Sequence, residues 1–237
     1  MIGLPDAYVL RARVAPVILA GIPIFELLIG EFIEKTELKN LAILSIVGVA
    51  VVTLFSQFGR ERGKKIEQAL FTEWKGIPTT VMLRHSDQTI DPITKTRIHK
   101  GLTDKISDLQ LPSPDDEEEN PSQADITYES AVFWLRSKTK NKIKFPRLHE
   151  ENTSYGFRRN LLGLKPFGLL LSFIILGIQV AIYKPFSLRE ISIFATHPYI
   201  ISQLVFIVFF SCIVTKNWVK DAAKSYAFAL LNATESL

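Results

Sequence analysis

The chain has 237 residues, of which 47% are hydrophobic and 22% charged, with 28 Lys and Arg against 24 Asp and Glu; its mean hydropathy is +0.18 and its pI about 9.1. That mean argues against a disordered chain and equally against a nucleic-acid-binding tail protein despite the pI, and with a net charge of only +4 the placement of the positive charges matters more than their total. A single cysteine excludes an internal disulfide framework and a cysteine zinc cluster.

The hydrophobicity is concentrated in four runs, at 14–32, 41–58, 166–183 and 191–214. A helix crosses a hydrocarbon core of ~30 Å with about 20 residues, and each run fits the range of roughly 17 to 25. Glu26 and Glu31 interrupt the first run. It reads as a retained transmembrane helix rather than a signal peptide, because Glu31-Phe32-Ile33-Glu34-Lys35 follows it with no small-residue cleavage site. The fourth run begins effectively at Tyr199, since Pro198 suits the first turn of a helix.

Basic residues fall asymmetrically around these runs. Arg11, Arg13, Arg60, Arg62, Lys64, Lys65, Arg158, Arg159, Lys165, Lys216, Lys220 and Lys224 flank one side, and only Lys35, Lys39, Lys184 and Arg189 the other. The positive-inside rule then places both termini and residues 59–164 in the cytoplasm. The expected fold is mainly α: a four-helix polytopic membrane protein made of two transmembrane hairpins, with a cytoplasmic α-rich insert and a C-terminal amphipathic helix. The expected divisions are 1–58, first hairpin; 59–164, insert; 165–215, second hairpin; and 216–237, cytoplasmic helix. The expected location is a bacterial inner membrane.

Within the insert, 60–74 continues the second run as a helix with Ile66, Ala69, Leu70 and Phe71 on its apolar stripe, and Gly76 and Pro78 end it. The stretch 79–100 alternates weakly and carries turn chemistry at Asp91-Pro92, which suggests a short hairpin or loops. Residues 111–121, with Pro112, Pro114 and the acidic run 115–119, read as a solvated linker. A helix is expected over 124–137, packing through Ile126, Ala131, Phe133, Trp134 and Leu135. In the tail, Val219, Ala222, Ala223, Tyr226, Leu230 and Ala233 recur at three- and four-residue steps, and this alanine-rich stripe suits close packing against another helix.

No strong catalytic signature is present. The segment Gly59-Arg60-Glu61-Arg62-Gly63-Lys64-Lys65 is too short between its glycines for a phosphate loop and lacks the Ser or Thr that holds magnesium. Ser137, His85 and His149 are the visible candidates for a membrane enzyme, without a supporting motif. The scattered histidines show no metal-ligand spacing, so no metal or cofactor is expected.

Polar residues inside the apolar runs carry more information. An ionisable group at the bilayer centre costs at least roughly 2.5–3.5 kcal/mol, so it faces protein or water. Glu26, Gln179 and Gln203 are therefore candidates for a pore or gate. The insert supplies basic groups beside aromatic rings: Trp74, Arg84, Arg97 and Lys100, and then Tyr155, Arg158 and Arg159. Arginine with aromatic residues suits a phosphate-bearing ligand through ion pairing and stacking, and these seven are candidates for binding a signal.

The four-helix plan, the pattern Trp74-Lys75-Gly76-Ile77-Pro78-Thr79-Thr80 with Leu83-Arg84-His85, and the segment Tyr155-Gly156-Phe157-Arg158-Arg159-Asn160 together resemble small membrane effectors of bacterial anti-phage defence, of the Hailong channel type. The resemblance implies a multimeric ion channel, held shut until a nucleotide or oligonucleotide made by a partner nucleotidyltransferase binds the cytoplasmic part. The expected partners are the lipid bilayer, further copies of the chain (a tetramer as the working number) and that signal. The alternative is a non-conducting membrane sensor or scaffold that docks a soluble partner.

Overall fold

In a computed structural model, residues 6–32, 38–183 and 198–237 are described, and helix is the only regular structure among them. The helices are α1 (Ala7–Val9), continued by a π-helical turn (Leu10–Val14) into α2 (Ala15–Phe32); α3 (Leu38–Glu73); α4 (Pro78–Leu83); α5 (Pro92–Lys105); α6 (Pro114–Glu119); α7 (Pro121–Lys138); α8 (Pro146–Tyr183); α9 (Pro198–Val208), continued by a π-helical turn (Phe209–Ile213); and α10 (Lys216–Asn232), ending in a 3-10 turn (Ala233–Ser236). The loops expected to carry Lys35, Lys184 and Arg189, and the start of the fourth run with His197, lie outside the described residues.

Proline places many of these starts. Pro78, Pro92, Pro114, Pro121, Pro146 and Pro198, half of the chain's twelve prolines, each open a helix. At that position the missing N–H has no helical partner to lose, and the ring presets φ. Side-chain caps complete three of the starts. Asp91 accepts from the Thr94 amide at 2.9 Å, Asn120 accepts from the Gln123 amide at 3.2 Å, and Ser113 forms a reciprocal capping box with Asp116. The stretch 79–100 therefore holds no hairpin but most of α4, an irregular connection at 84–91 and most of α5, and the acidic run 115–119 lies within the helical turn of α6 rather than in an extended linker. At the other end of α3, Lys75 takes φ 63° and Gly76 φ 138°, and the Gly76 amide bonds back to the Phe71 carbonyl at 2.8 Å. This closes the helix with a left-handed terminus.

The chain divides into two compact units. The first comprises Met1–Ile66 with Gly156–Val219, the second Glu67–Tyr155 with Lys220–Leu237. Among the described residues two helices are long and apolar enough to cross a membrane, Ala7–Glu26 and Pro146–Ala181; Tyr199–Ile213 with Lys216–Ser236 adds a third if counted as one broken span. Large apolar side chains of the first unit are exposed on several helices: Val47, Val49, Leu54 and Phe55 on α3, Leu170, Phe173 and Ile174 on α8, and Leu204, Val205 and Val208 on α9. In water each such group forfeits about 1.5–3 kcal/mol of burial; in lipid it forfeits nothing.

Within the first unit, α3 and α8 meet through glycine. A Cβ placed on Gly163 would lie 2.7 Å from the Gly63 amide nitrogen, and one on Gly63 would lie 2.5 Å from Asn160 Oδ1. Neither site has room for a side chain, so both helix backbones come to contact. Asn160 Nδ2 then donates to the Ala12 carbonyl at 2.7 Å, which ties the π-helical turn to the same place. The Phe210 ring fills the space beside Gly168 in a similar way, and a Cβ there would lie 2.6 Å from it.

The second unit has an ordinary apolar core. Leu83, Ile98, Leu102, Tyr128, Leu135, Leu230 and Leu231 are among its fully buried side chains. The tail stripe packs as its spacing suggests, with Ala222, Ala223, Leu230 and Ala233 buried. On α7 the buried face is Ala124, Tyr128, Ala131, Val132 and Leu135, whereas Ile126 and Phe133, expected inside, are 60% and 78% exposed.

The glycine contact gives a direct stability test. Gly163→Val must push apart two backbones and should lower the midpoint of thermal unfolding in detergent by an amount equivalent to about 3 kcal/mol or more. Gly177→Ala meets nothing within 4 Å and should leave the midpoint unchanged or raise it. Circular dichroism melts of the two variants check both.

Candidate functional site

Two of the polar candidates of the first unit, Glu26 and Gln203, are in contact. The Glu26 carboxylate, on α2, accepts hydrogen bonds from two neighbours on α9: Ser202 Oγ, and Gln203 Nε2 at 2.8 Å. Gln203 is completely buried, and its Oε1 has no partner among the described residues. Gln179 on α8 is 4% exposed, and its Oε1 is likewise without a partner there. Two buried amide oxygens and a carboxylate thus sit within the apolar stretches of α2, α8 and α9. Such oxygens are acceptors that a proton or a cation could satisfy.

The basic groups Arg158 and Arg159 belong to this unit too, and both are engaged. Arg158 Nη1 donates to the Trp218 carbonyl at 3.0 Å and its guanidinium lies 4.9 Å from the centroid of the Trp218 ring. Arg159 is buried and donates to Asn160 Oδ1 through Nε and Nη2, each at 3.2 Å. Lys165 donates to the Val214 carbonyl at 2.9 Å, at the end of the π-helical turn after α9, where a cation also suits the helix dipole.

In the second unit the remaining candidates are distributed among different tasks. Arg84 forms a two-pronged ion pair with Asp125, at 2.8 and 2.6 Å. Arg97 pairs with Glu235 at 3.2 Å near the chain end. Lys100 is exposed. Trp74 is 9% exposed, with Lys220 Nζ 6.0 Å from its ring centroid. Ser137, His85 and His149 hydrogen-bond to three different backbone carbonyls, those of Trp134, Pro112 and Thr139. Among the described residues no three His, Cys, Asp or Glu side chains are grouped as for a metal ion.

Of the seven, Tyr155 lines a cleft of the second unit. This cleft of about 110 Å³ is bounded by Glu67, Phe71, Ile77, Pro78, Thr79, Arg136, Tyr155, Ala223, Tyr226 and Ala227. Tyr155 donates its phenol proton to Glu67 Oε1 at 2.6 Å, and its ring is parallel to that of Tyr226, 6.2 Å away and 4° apart in tilt. The Arg136 guanidinium lies 6.0 Å from the Tyr226 centroid. Thr79 lies in the 74–80 pattern and Tyr226 on the tail stripe, but neither these nor Glu67 and Arg136 are signalled as one site, because their proximity arises from stretches far apart in the chain.

One buried carboxylate organises the turn after α4. Glu117 accepts from the His85 and Ser86 amides at 2.7 and 3.1 Å, from the Ser86 hydroxyl at 2.8 Å and from the Tyr128 phenol at 2.9 Å. Desolvation pushes its pKa up, but the four donors together outweigh it and hold it below the usual carboxylate range. Desolvation and the same carboxylate push the Tyr128 phenol up. Lys95 threads the turn, donating to the Arg84 carbonyl at 2.5 Å and to the Asp87 carbonyl, and burial lowers its pKa. His99 donates to the Leu83 carbonyl at 2.8 Å; desolvation outweighs that bond and lowers its pKa.

No protein-family model, curated protein or solved structure matches the chain.

Both Glu117 and His99 have depressed pKa values, so the unfolded chain binds their protons first and acid favours unfolding. Stability of the second unit should begin to fall below the ordinary histidine value of ~6.5 and fall further as pH drops below the ordinary glutamate value of ~4.3. Glu117→Gln places an amide donor against donors. It should cost about 1.5–3 kcal/mol at pH 7 and flatten the acid limb of the profile, as thermal melts across pH will read.

Proposed function

We propose that the chain is a bacterial inner-membrane effector, a multimeric gated ion channel opened by a nucleotide or oligonucleotide signal in anti-phage defence. Four helices in two hairpins cross the bilayer, both termini and the insert face the cytoplasm, and copies assemble, as a tetramer, around a shared pore. A partner nucleotidyltransferase supplies the signal.

The observation that carries this reading is Glu26, a carboxylate in the apolar stretch of α2, with Ser202 and Gln203 donating to it and the Gln203 Oε1 buried without a partner among the described residues. Ionisable groups at membrane depth are costly and mark ion or proton paths. The exposed apolar side chains of α3, α8 and α9 support a lipid setting. A non-conducting sensor that docks a soluble partner is the second reading. It is favoured by Ile126 and Phe133, seven residues apart on α7 and both largely exposed.

Purified protein in liposomes should pass ions when supplied with the signal, and Glu26→Gln should change the flux at least about tenfold without lowering expression, if a charge worth ~1.4 kcal/mol of barrier is removed. Absence of conductance under every nucleotide and oligonucleotide tried would remove the channel reading and leave the docking one.

A further inference from the structure

The cleft of the second unit combines features that belong to a binding site rather than to a packing defect. Thr79 lines it and is 2% exposed, yet its hydroxyl has no hydrogen-bond partner among the described residues. Leaving a buried hydroxyl unpaired costs about 1–3 kcal/mol, a cost that a bound ligand would recover. Near it stands the Glu67 carboxylate. It is engaged by the Tyr155 phenol and by a further interaction, but a carboxylate accepts up to about four hydrogen bonds, so a ligand N–H can be added. The parallel Tyr155 and Tyr226 rings supply flat aromatic surface, and the exposed Arg136 supplies a guanidinium beside Tyr226.

We propose that this cleft binds a nucleotide through the amine-bearing edge of its base. The base N–H groups go to Glu67, the Thr79 hydroxyl bonds a ring nitrogen or oxygen, and the aromatic surface takes the face of the base. Arg136 holds the phosphate at the mouth, as a planar fork of donors suited to phosphate oxygens. The volume sets the division of the ligand. About 110 Å³ is less than the ~150 Å³ that accommodates benzene in an apolar cavity, so only the edge of one ring enters and the sugar and phosphate remain outside. The proposal rests on the sensing half of the function proposed above, and it locates that sensing in Glu67, Thr79, Arg136, Tyr155 and Tyr226.

Calorimetric titration of the purified full chain in lipid nanodiscs tests it, with 5′-AMP and 5′-GMP as probes and adenosine, ribose 5-phosphate and glycine as comparisons. At least one nucleotide should bind saturably, with adenosine and ribose 5-phosphate each about tenfold weaker or more, the loss of one charge-assisted contact or of the base. Arg136→Gln should weaken nucleotide binding about tenfold and leave adenosine unchanged. Thr79→Val removes an unpaired hydroxyl and should keep or raise the thermal midpoint while weakening nucleotide and adenosine alike. Weakened binding by Thr79→Val therefore cannot be ascribed to misfolding. Absence of saturable nucleotide binding up to millimolar concentrations, preference for glycine, or unchanged affinity in both variants would overturn the proposal. Binding is read apart from ion flux. Nucleotide binding without current leaves the cleft standing and removes the channel, whereas current without nucleotide binding does the reverse.

Discussion

The contact of α3 with α8 at Gly63 and Gly163 is the constraint on which the first unit depends. Two long helices can bring their backbones together only where side chains are absent, and both glycines are required because each faces main chain or the base of a side chain on the other helix. The contact fixes the position of Asn160, and Asn160 in turn satisfies the Ala12 carbonyl of the π-helical turn. Close approach of this kind is a main source of attraction between helices in lipid, where burial of apolar surface supplies no drive. It leaves the large apolar side chains of α3, α8 and α9 pointing outward, where lipid rather than protein would cover them.

The second unit solves a different problem. Its helices are short, and four of them, α4 to α7, are started by proline after connections that carry charged and polar groups. The polar groups of these connections are gathered onto a few charged side chains: Glu117 takes two amides and two hydroxyls, Lys95 takes two carbonyls, and Arg84 is held by Asp125. Buried charge used in this way adds little net stability but is costly to disturb, because removal of one partner leaves several groups unsatisfied. The basic residues that suggest ligand binding by type, Arg84 and Arg159 above all, are consumed by such internal tasks. A residue that escapes them, Arg136, stands at the cleft.

Much of the helical content is legible in the sequence, because it depends on local pattern. The long apolar runs at 41–58 and 166–183, the stripe of α10 and the extent of α7 follow from spacing alone. Proline is where local pattern misleads most. Asp91-Pro92 and Ser113-Pro114 resemble turns, yet each is a cap followed by the first residue of a helix, so 79–100 suggests a hairpin or loops and 111–121 a linker where much of the chain is helical. Gly59 and Gly63 resemble part of a loop that grips phosphate, but their four-residue spacing is that of helix contact: Gly59 would meet Leu164 at 3.0 Å and Gly63 meets Asn160. The cleft is illegible for another reason. Glu67, Thr79, Arg136, Tyr155 and Tyr226 have no shared periodicity, and only the tertiary arrangement of their unit makes them neighbours.

Membrane residence puts the exposed apolar side chains of the first unit in lipid and those of the second unit in water. Spin labels placed singly at Val47, Leu54, Phe173, Leu204, Ile93 and Phe133, in a Cys212→Ser background reconstituted into vesicles, report this directly through their collisions with oxygen and with a water-soluble nickel complex. The first four positions should favour oxygen and the last two the nickel complex. Equal access of the nickel complex to all six would contradict membrane residence of the first unit, and with it the placement of Glu26 on an ion path.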